Sequence, residues 1–329
     1  MNNLRSVGIA SVGAYTPAKR LTNFDLEKMI DTSDEWIRTR TGIKERRIVE
    51  NGVCTSDMGV IAARMALERA GVSPDEVDLI ITGTATPDMF FPSTGCIIQD
   101  KLGASKAAAF DLEAGCTGFV YSIAVGAQFV QTGLYKNVLV VGSDTLSKVT
   151  DWTDRNTCVL FGDGAGAVLL KPVPEGTGIL SLYLGADGSG GELLKIPGGG
   201  SKHPANKESV EKKQHYIKMA GNEVFKFATR IMEVAALEAI KRSGLTVEDV
   251  SCFIPHQANV RIIEAAAKRL RIPMDKVFVN VSNYGNTSNG SIPIALFEAQ
   301  EQGRIKKGDA IVIVAFGAGL TWASSVIRW

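Results

Sequence analysis

Three residues in this 329-residue chain have the types and settings for nucleophilic chemistry with oxyanion stabilisation: Cys116, His256 and Asn286. Cys116 stands in AAAFDLEAGCTGFVYSIAVGAQFV, where an apolar strand gives way to small residues and then to an apolar helix beginning near Thr117. A thiol at a helix N-terminus faces unpaired backbone N–H groups and the positive end of the helix dipole, which favours thiolate. Gly115 and Gly118 leave room for substrate and backbone to approach. A buried structural cysteine is the ordinary alternative. The window alone does not separate the two, but Cys54, Cys96, Cys158 and Cys252 lack the setting altogether.

The chain has three histidines, and His203 and His215 fall in or beside a polar stretch. His256 ends the apolar run VSCFIPH and precedes the amphipathic QANVRIIEAAAKRL. That puts it at the carboxyl end of a strand, where α/β proteins build their sites. A satisfied core histidine is the alternative. Asn286 lies in NVSNYGNTSNGSIP, by composition a turn. An amide donates hydrogen bonds and does not titrate, so it suits stabilisation of an oxyanion rather than proton removal.

Apolar strands such as VDLIITG (77–83), NVLVVGSD (137–144) and AIVIVAFG (310–317) alternate with helix-length, alanine-rich stretches, which predicts an α/β architecture. The pattern repeats at long range. ALERAGVSPDEVDLIITG around Gly71 recurs in outline as AIKRSGLTVEDVSCFIPH around Gly244, 173 residues later. Cys116 precedes Gly133 by 17 residues, and Asn286 precedes Gly303 by 17. Two like halves, 1–175 carrying the cysteine and 176–329 carrying the histidine and asparagine, would therefore set Cys116 and Asn286 at equivalent strand-to-helix junctions.

Composition excludes several classes. Hydrophobic residues make up 45% and charged residues 22%, an ordinary globular balance. With 36 Lys plus Arg against 35 Asp plus Glu, no global field favours nucleic acid or anionic lipid, so any basic docking surface is local. Five scattered cysteines without a C-x-x-C pair argue against a disulfide framework or zinc knuckle and for a reducing cytoplasm. The start, MNNLRSVGIASVGAYTP, reads as a strand and turn rather than a signal peptide. Ala310 to Ile327 is free of charge, but β-branched runs around Gly317, Gly319 and Thr321 predict two buried strands rather than a membrane helix.

FGDGAGAVLL (161–170) lacks dinucleotide-binding spacing and leads into a strand. AFGAGLTW (315–322) reads as an oxyanion hole of free backbone N–H groups or a plain hairpin turn. In DTSDEWIRTR, Thr32 and Glu35 read as a capping box, opening a helix with Trp36 and Arg40 on one face. That pair suits an adenine and its phosphates, or a surface cation–π contact. GGGSKHPANKESVEKKQ (198–214) reads as a mobile surface loop, gating a pocket or inert.

Taken together, DTSDEW, TRTGIKERR, the Cys116 window, DRNTCVLFGDGAGA, PHQANVRI, YGNTS and the terminal LTW make the chain resemble the β-ketoacyl-acyl-carrier-protein synthase III family of the thiolase superfamily, along essentially its whole length. The resemblance implies a five-layered αβαβα fold of two duplicated halves. It implies an acyltransferase, without cofactor or metal, that condenses an acyl-CoA primer with malonyl-acyl carrier protein in a cytoplasmic homodimer. By motif, Cys116 would be acylated while His256 and Asn286 hold the malonyl thioester. Backbone N–H groups of Cys116 and Gly319 would form the oxyanion hole. Thr32, Trp36, Arg40 and Arg155 would contact the nucleotide end of coenzyme A, with Phe225, Ala228 and Asn259 along the pantetheine tunnel. Phe91 would close the partner subunit's acyl pocket, and Arg261 would dock the carrier protein.

The sequence departs from the family pattern at EAGCTG around Cys116, at Asn289–Gly290 after GNTS, and at Ala318 and Ala323. No catalytic group is lost, but these departures bear on the acyl pocket and loop geometry, and primer choice stays open. A synthase using CoA thioesters on both sides, a catalytically silent carrier-binding module and a Cys–His–Asn hydrolase are the rival readings.

Overall fold

The apolar runs become strands of two sheets in a computed structural model that describes residues 4–329. The first sheet holds β1 (Val7–Tyr15), β2 (Leu79–Gly83), β3 (Ala108–Leu112), β4 (Val138–Thr145) and β5 (Asp163–Pro172), in the order β1-β5-β4-β2-β3. The second holds β6 (Gly178–Ala186), β7 (Cys252–Pro255), β8 (Ala310–Gly317) and β9 (Thr321–Arg328), in the order β7-β8-β9-β6. Strand β2 runs parallel to β3 and β4, while β5 is antiparallel to β4 and β1 to β5. The second sheet repeats these senses: β7 is parallel to β8, β9 antiparallel to β8, and β6 antiparallel to β9. Its counterpart of β3 is reduced to a single parallel bridge between Phe253 and Val277.

Among the described residues, seven helices of eight residues or more complete the frame: α1 (Asp34–Thr41), α2 (Thr55–Ala70), α3 (Thr94–Leu102), α4 (Gly118–Gln131), α5 (Gly221–Arg242), α6 (Val260–Leu270) and α7 (Ser291–Glu301). Helices α4 and α7 follow Cys116 and Asn286 and lie between the sheets. Phe119 and Ile123 of α4 and Ile292 and Leu296 of α7 share one core with Val138 and Val140 below and Ile311 and Ile313 above. The alternate residues of the same strands point outward. Leu139 and Val141 meet α2 and α3 through Met58, Ala62 and Ile98, and Val312 and Val314 meet α5 and α6 through Met232, Ala236 and Ile263. Strands covered on both faces are largely apolar, which is why β2, β8 and the start of β4 read as hydrophobic runs. The result is the αβαβα sandwich.

The charge-free stretch 310–327 forms β8 and β9, paired antiparallel across the turn at 318–320. Among the described residues no helix is long and apolar enough to cross a membrane. The FGDGAGAVLL segment does lead into a strand, β5.

Two local expectations change. The cap of α1 is Ser33 rather than Thr32: Ser33 is extended, and its hydroxyl accepts the Trp36 N–H at 3.1 Å. Thr32 Oγ1 is instead buried without a partner among the described residues. The polar stretch 198–214 is exposed for most of its length, but it contains a short helix, Lys207–Glu211, capped by Asn206. The stretch hangs from a two-residue hairpin in which Leu194–Lys195 pairs with Lys218–Met219.

Candidate active site

Cys116, His256 and Asn286 arrive from three different junctions and line one cavity of about 90 Å³ with Phe161, Phe225, Asn259 and Phe316. Cys116 also walls a second cavity of about 300 Å³, shared with Ala85, Thr86, Glu113, Ile217, Ser288 and Ala318. The thiol thus stands between two spaces, with Phe161 and Leu194 belonging to both. The first is the sheet-edge space His256 faces; the second reaches out from the Cys116 turn.

The Cys116 turn is shaped by small residues. Gly115 has φ +55°, and a Cβ there would fall 2.6 Å from the Ala318 nitrogen. Glu113 Oε1 accepts the Gly115 N–H at 2.8 Å. Thr117 Oγ1 donates to Ala114 O at 2.6 Å and lies 2.9 Å from the Thr321 hydroxyl, tying the turn to β9. The departures at 113, 115, 117 and 318 therefore meet one another in space.

Burial pushes the Cys116 thiol up from 9.0 to about 12; the carboxylates of Asp144 and Glu113 add to the rise and a hydrogen bond from Ser288 opposes it. The helix dipole is worth about 0.3–1 kcal/mol, up to about 2 in partly buried settings. At about 1.4 kcal/mol per pKa unit it is too weak to offset that rise. The thiolate expected from the position before α4 is therefore opposed by desolvation, although Cys116 is only half-buried at the wall of the two cavities.

His256 continues β7: its N–H donates to Val314 O of β8 at 2.8 Å. Its Nδ1 lies 2.6 Å from Ser291 Oγ on α7, and its ring meets Phe316 edge-on at 5.4 Å between centroids. Burial alone lowers its pKa from 6.5 to about 3, so the imidazole is neutral. Asn286 is held on every backbone side. Its N–H donates to Leu160 O at 2.8 Å, and its carbonyl accepts from the Gly162 N–H at 3.0 Å. Its side-chain Oδ1 accepts the Ser288 N–H at 2.8 Å, which leaves the NH₂ as the free end of the amide.

Of the other predicted site residues, Phe225 and Asn259 line the first cavity. Asn259 caps α6 through the Arg261 N–H (2.8 Å) and donates to Arg40 O at 3.0 Å, so α1 adjoins the cavity mouth. The guanidiniums of Arg40 and Arg155 lie over the Trp36 ring at 4.6 and 4.2 Å. Thr32 stands just before that helix, outside both cavities. Arg261 is exposed on the first turn of α6, with its guanidinium 5.5 Å from the Phe225 ring.

Two placements differ from the lining expected, those of Ala228 and Gly319. Ala228 lies in the core between α5 and the second sheet and walls neither cavity, because it is on the buried face of α5. Gly319 walls neither cavity; Ala318, one residue earlier in the turn, faces the Cys116 space. Phe91 is 85% exposed, beside Phe90 at 79%, away from this chain's own cavities. Sequence reading also missed Phe316, Ser291, Ser288 and Asp144, and it marked Asn289 only as a departure from the family pattern. Only the position of Phe316 at the end of an apolar strand beside Gly317 offered any signal. Among the described residues no group of three or more His, Cys, Asp or Glu side chains is arranged to hold a metal.

Comparison with known proteins agrees along the chain. Family models described as 3-oxoacyl-(acyl-carrier-protein) synthase III and its C-terminal part match residues 110–188 and 240–329. The chain is 60% identical to the beta-ketoacyl-(acyl-carrier-protein) synthase III of Caldanaerobacter subterraneus over 98% of each chain, and 57% identical to that of Desulfitobacterium hafniense, again over 98% of each. The crystal structure of 3-oxoacyl-(acyl-carrier-protein) synthase III from Aquifex aeolicus superposes with a TM-score of 0.91 at 49% identity, covering 98% of this chain and 100% of the other.

Proposed function

The chain belongs to the 3-oxoacyl-(acyl-carrier-protein) synthase III family, and on that premise we propose that it starts acyl chains by joining an acyl-CoA primer to malonyl-acyl carrier protein. The observation that carries this reading is the single cavity shared by Cys116, His256 and Asn286.

Cys116 sulfur attacks the primer's thioester carbonyl, coenzyme A leaves as its thiol with the proton that Cys116 gives up, and an acyl-enzyme results. The tetrahedral oxyanion of that step is held by the backbone N–H groups of Cys116 and Ala318. Ala318 takes the role expected of Gly319 because it walls the same space as the thiol. Malonyl-carrier protein then binds with its thioester oxygen between His256 Nε2–H and the Asn286 NH₂. The Ser291 hydroxyl at Nδ1 supports the tautomer with its proton on Nε2, and Ser288 supports the donor orientation of Asn286. Loss of carbon dioxide leaves an enolate on those two donors; its carbon attacks the acyl group, and Cys116 departs.

The His256 ring is held through Nδ1 by Ser291, and burial disfavours both charged forms, which supports this reading over a hydrolase, whose cysteine works as a thiolate paired with imidazolium. For the coenzyme, an adenine stacking on Trp36 would displace one guanidinium, freeing Arg40 or Arg155 for phosphate. Thr32 Oγ1 and Arg155 Nε, both buried without partners among the described residues, support polar contact there. Phe225 and Asn259 would line the pantetheine path, with Ala228 behind them. Arg261 would meet the acidic carrier protein.

We place the boundary between halves near residue 175, where the chain passes from β5 to β6. The exposed Phe90 and Phe91 and the edge strand β3 support a homodimer in which Phe91 closes the partner's acyl pocket. Five free cysteines suit a reducing cytoplasm.

The test is incubation with labelled acetyl-CoA and malonyl-carrier protein. Acetoacetyl-carrier protein and carbon dioxide in equal amounts are expected. Free acetate without a longer chain would establish a hydrolase, and equal turnover of malonyl-CoA a synthase that ignores the carrier.

A further inference from the structure

We propose that Asn289, anchored by Asp144, is a positioning residue that holds the Cys116 turn in place for acylation. The proposal rests on the reading of Cys116 as the acylated nucleophile.

Asp144, next to last in β4, is a fully buried carboxylate. One of its oxygens accepts from Thr84 Oγ1 (3.0 Å), Ala85 N–H (2.8 Å), Thr86 N–H (3.0 Å) and Thr86 Oγ1 (2.8 Å). The other accepts from the Asn289 backbone N–H at 3.0 Å and from its Nδ2 at 2.8 Å. Every partner is a donor, so the carboxylate fixes both the segment 84–86 and Asn289. Ala85 and Thr86 wall the cavity on the Cys116 side.

Asn289 spends the rest of its amide on the nucleophile's turn. Nδ2 donates to Gly115 O at 3.1 Å, and Oδ1 accepts the Phe119 N–H at 2.9 Å. These two groups flank Cys116, one just before it and one at the start of α4. The amide is thus a strut with both ends committed: its oxygen meets a donor, and its nitrogen meets a carbonyl and a carboxylate. The fit is close. A Cβ at Gly118 would lie 2.7 Å from Asn289 Oδ1, and one at Gly142 would lie 2.2 Å from the Asn289 carbonyl oxygen. Asn289 also follows Asn286 by three residues, so the strut fixes the nucleophile's turn relative to the segment that carries the malonyl-binding amide. An alanine at this position can make neither bond.

Misplacing a reacting atom by about 1 Å costs up to about 10²-fold in rate. In Asn289→Ala we expect transfer of acetyl from acetyl-CoA to Cys116 to slow by about tenfold, with the KM for acetyl-CoA changed by less than about twofold. Iodoacetamide alkylation of Cys116 should shift to higher pH, because the Asp144 charge loses the amide that covers it. Asn289→Asp, the same size, sets a second carboxylate against Asp144 and should acylate more slowly still. In a Cys116→Ala background, adding Asn289→Ala should leave carbon dioxide release from malonyl-carrier protein within about twofold, since that step does not use the turn. Should Asn289→Ala fold poorly by circular dichroism, Asn289→Ser tests the same point, with acylation between that of wild type and Asn289→Asp. Acylation within about twofold of wild type in these variants overturns the proposal, as does an equal loss of acylation and carbon dioxide release, which would mean general loosening. Wild-type protein that takes no acetyl on Cys116 overturns the functional reading itself, and the proposal with it.

Discussion

The junctions at Cys116 and Asn286 occupy the same place in a topology used twice, yet they present opposite chemistry. At the first, a glycine turn backed by Ala318 leaves a thiol between two cavities. At the second, hydrogen bonds to Leu160, Gly162 and Ser288 take up every polar group of Asn286 except its NH₂. A duplicated scaffold sets where side chains stand. The chemistry follows from which polar groups the neighbours leave unpaired: a nucleophile for the acyl group on one side, a fixed donor for the malonyl oxygen on the other.

The largest break in that division should come from Cys116→Ala. Acylation and condensation are expected to fall by about 10⁴-fold or more, while carbon dioxide release from malonyl-carrier protein continues. Radiolabelled carbon dioxide and intact-mass analysis, run in parallel, read the two halves separately. His256→Ala and Asn286→Ala are the mirror experiment, each suppressing decarboxylation and condensation by about 10²-fold or more, the scale for loss of one oxyanion donor. Acylation of Cys116 should survive both. If these two variants lose acylation as completely as Cys116→Ala while still releasing carbon dioxide, the assignment of roles to the two junctions is wrong.

The pH dependence sharpens the contrast. With the thiol pushed up to about 12, alkylation of Cys116 by iodoacetamide should rise about tenfold per pH unit from pH ~6 to ~9 without reaching a plateau. With His256 held down at about 3, its contribution to carbon dioxide release should stay level over the same range and fail only in strong acid. The sign for stability follows from the same shift. Below 6.5 the unfolded chain takes up a proton at His256 that the folded protein does not bind, so stability falls as pH drops from about 6.5 towards 3. A plateau in alkylation near neutrality would mean an ion pair at the site.

The smallest effect concerns docking. Arg261→Glu should lower kcat/KM for malonyl-carrier protein by about tenfold, less at high salt, and leave acetyl transfer from acetyl-CoA nearly unchanged. Equal loss with both substrates would locate the damage in the cavity, through Phe225, rather than at the surface.

Much of this was legible because it depends on local pattern. Apolar runs alternating with helix-length stretches predicted an α/β frame, and the repeated spacing around Gly71 and Gly244 predicted the same unit twice. The types and settings of Cys116, His256 and Asn286 marked them as candidates, and the motif resemblance named the acyl chemistry. Ala228 shows the limit: its motif position matched, but a helix face turned it into the core. The Thr32 cap failed for a related reason, since the extended Ser33 takes the Trp36 N–H and the helix begins one residue later than the Thr32–Glu35 box requires. Asp144 and Asn289 lie 145 residues apart, and no local pattern announces a carboxylate that six donors will surround. Protonation was the furthest from view. Sequence position alone favoured a thiolate at Cys116, whereas burial among groups distant in the chain opposes both the thiolate and the imidazolium. Residue types and periodicity determine the elements and the reagents, because they act over a few residues. Desolvation and the pairing of polar groups are set by everything packed around a site, so only the folded chain decides them.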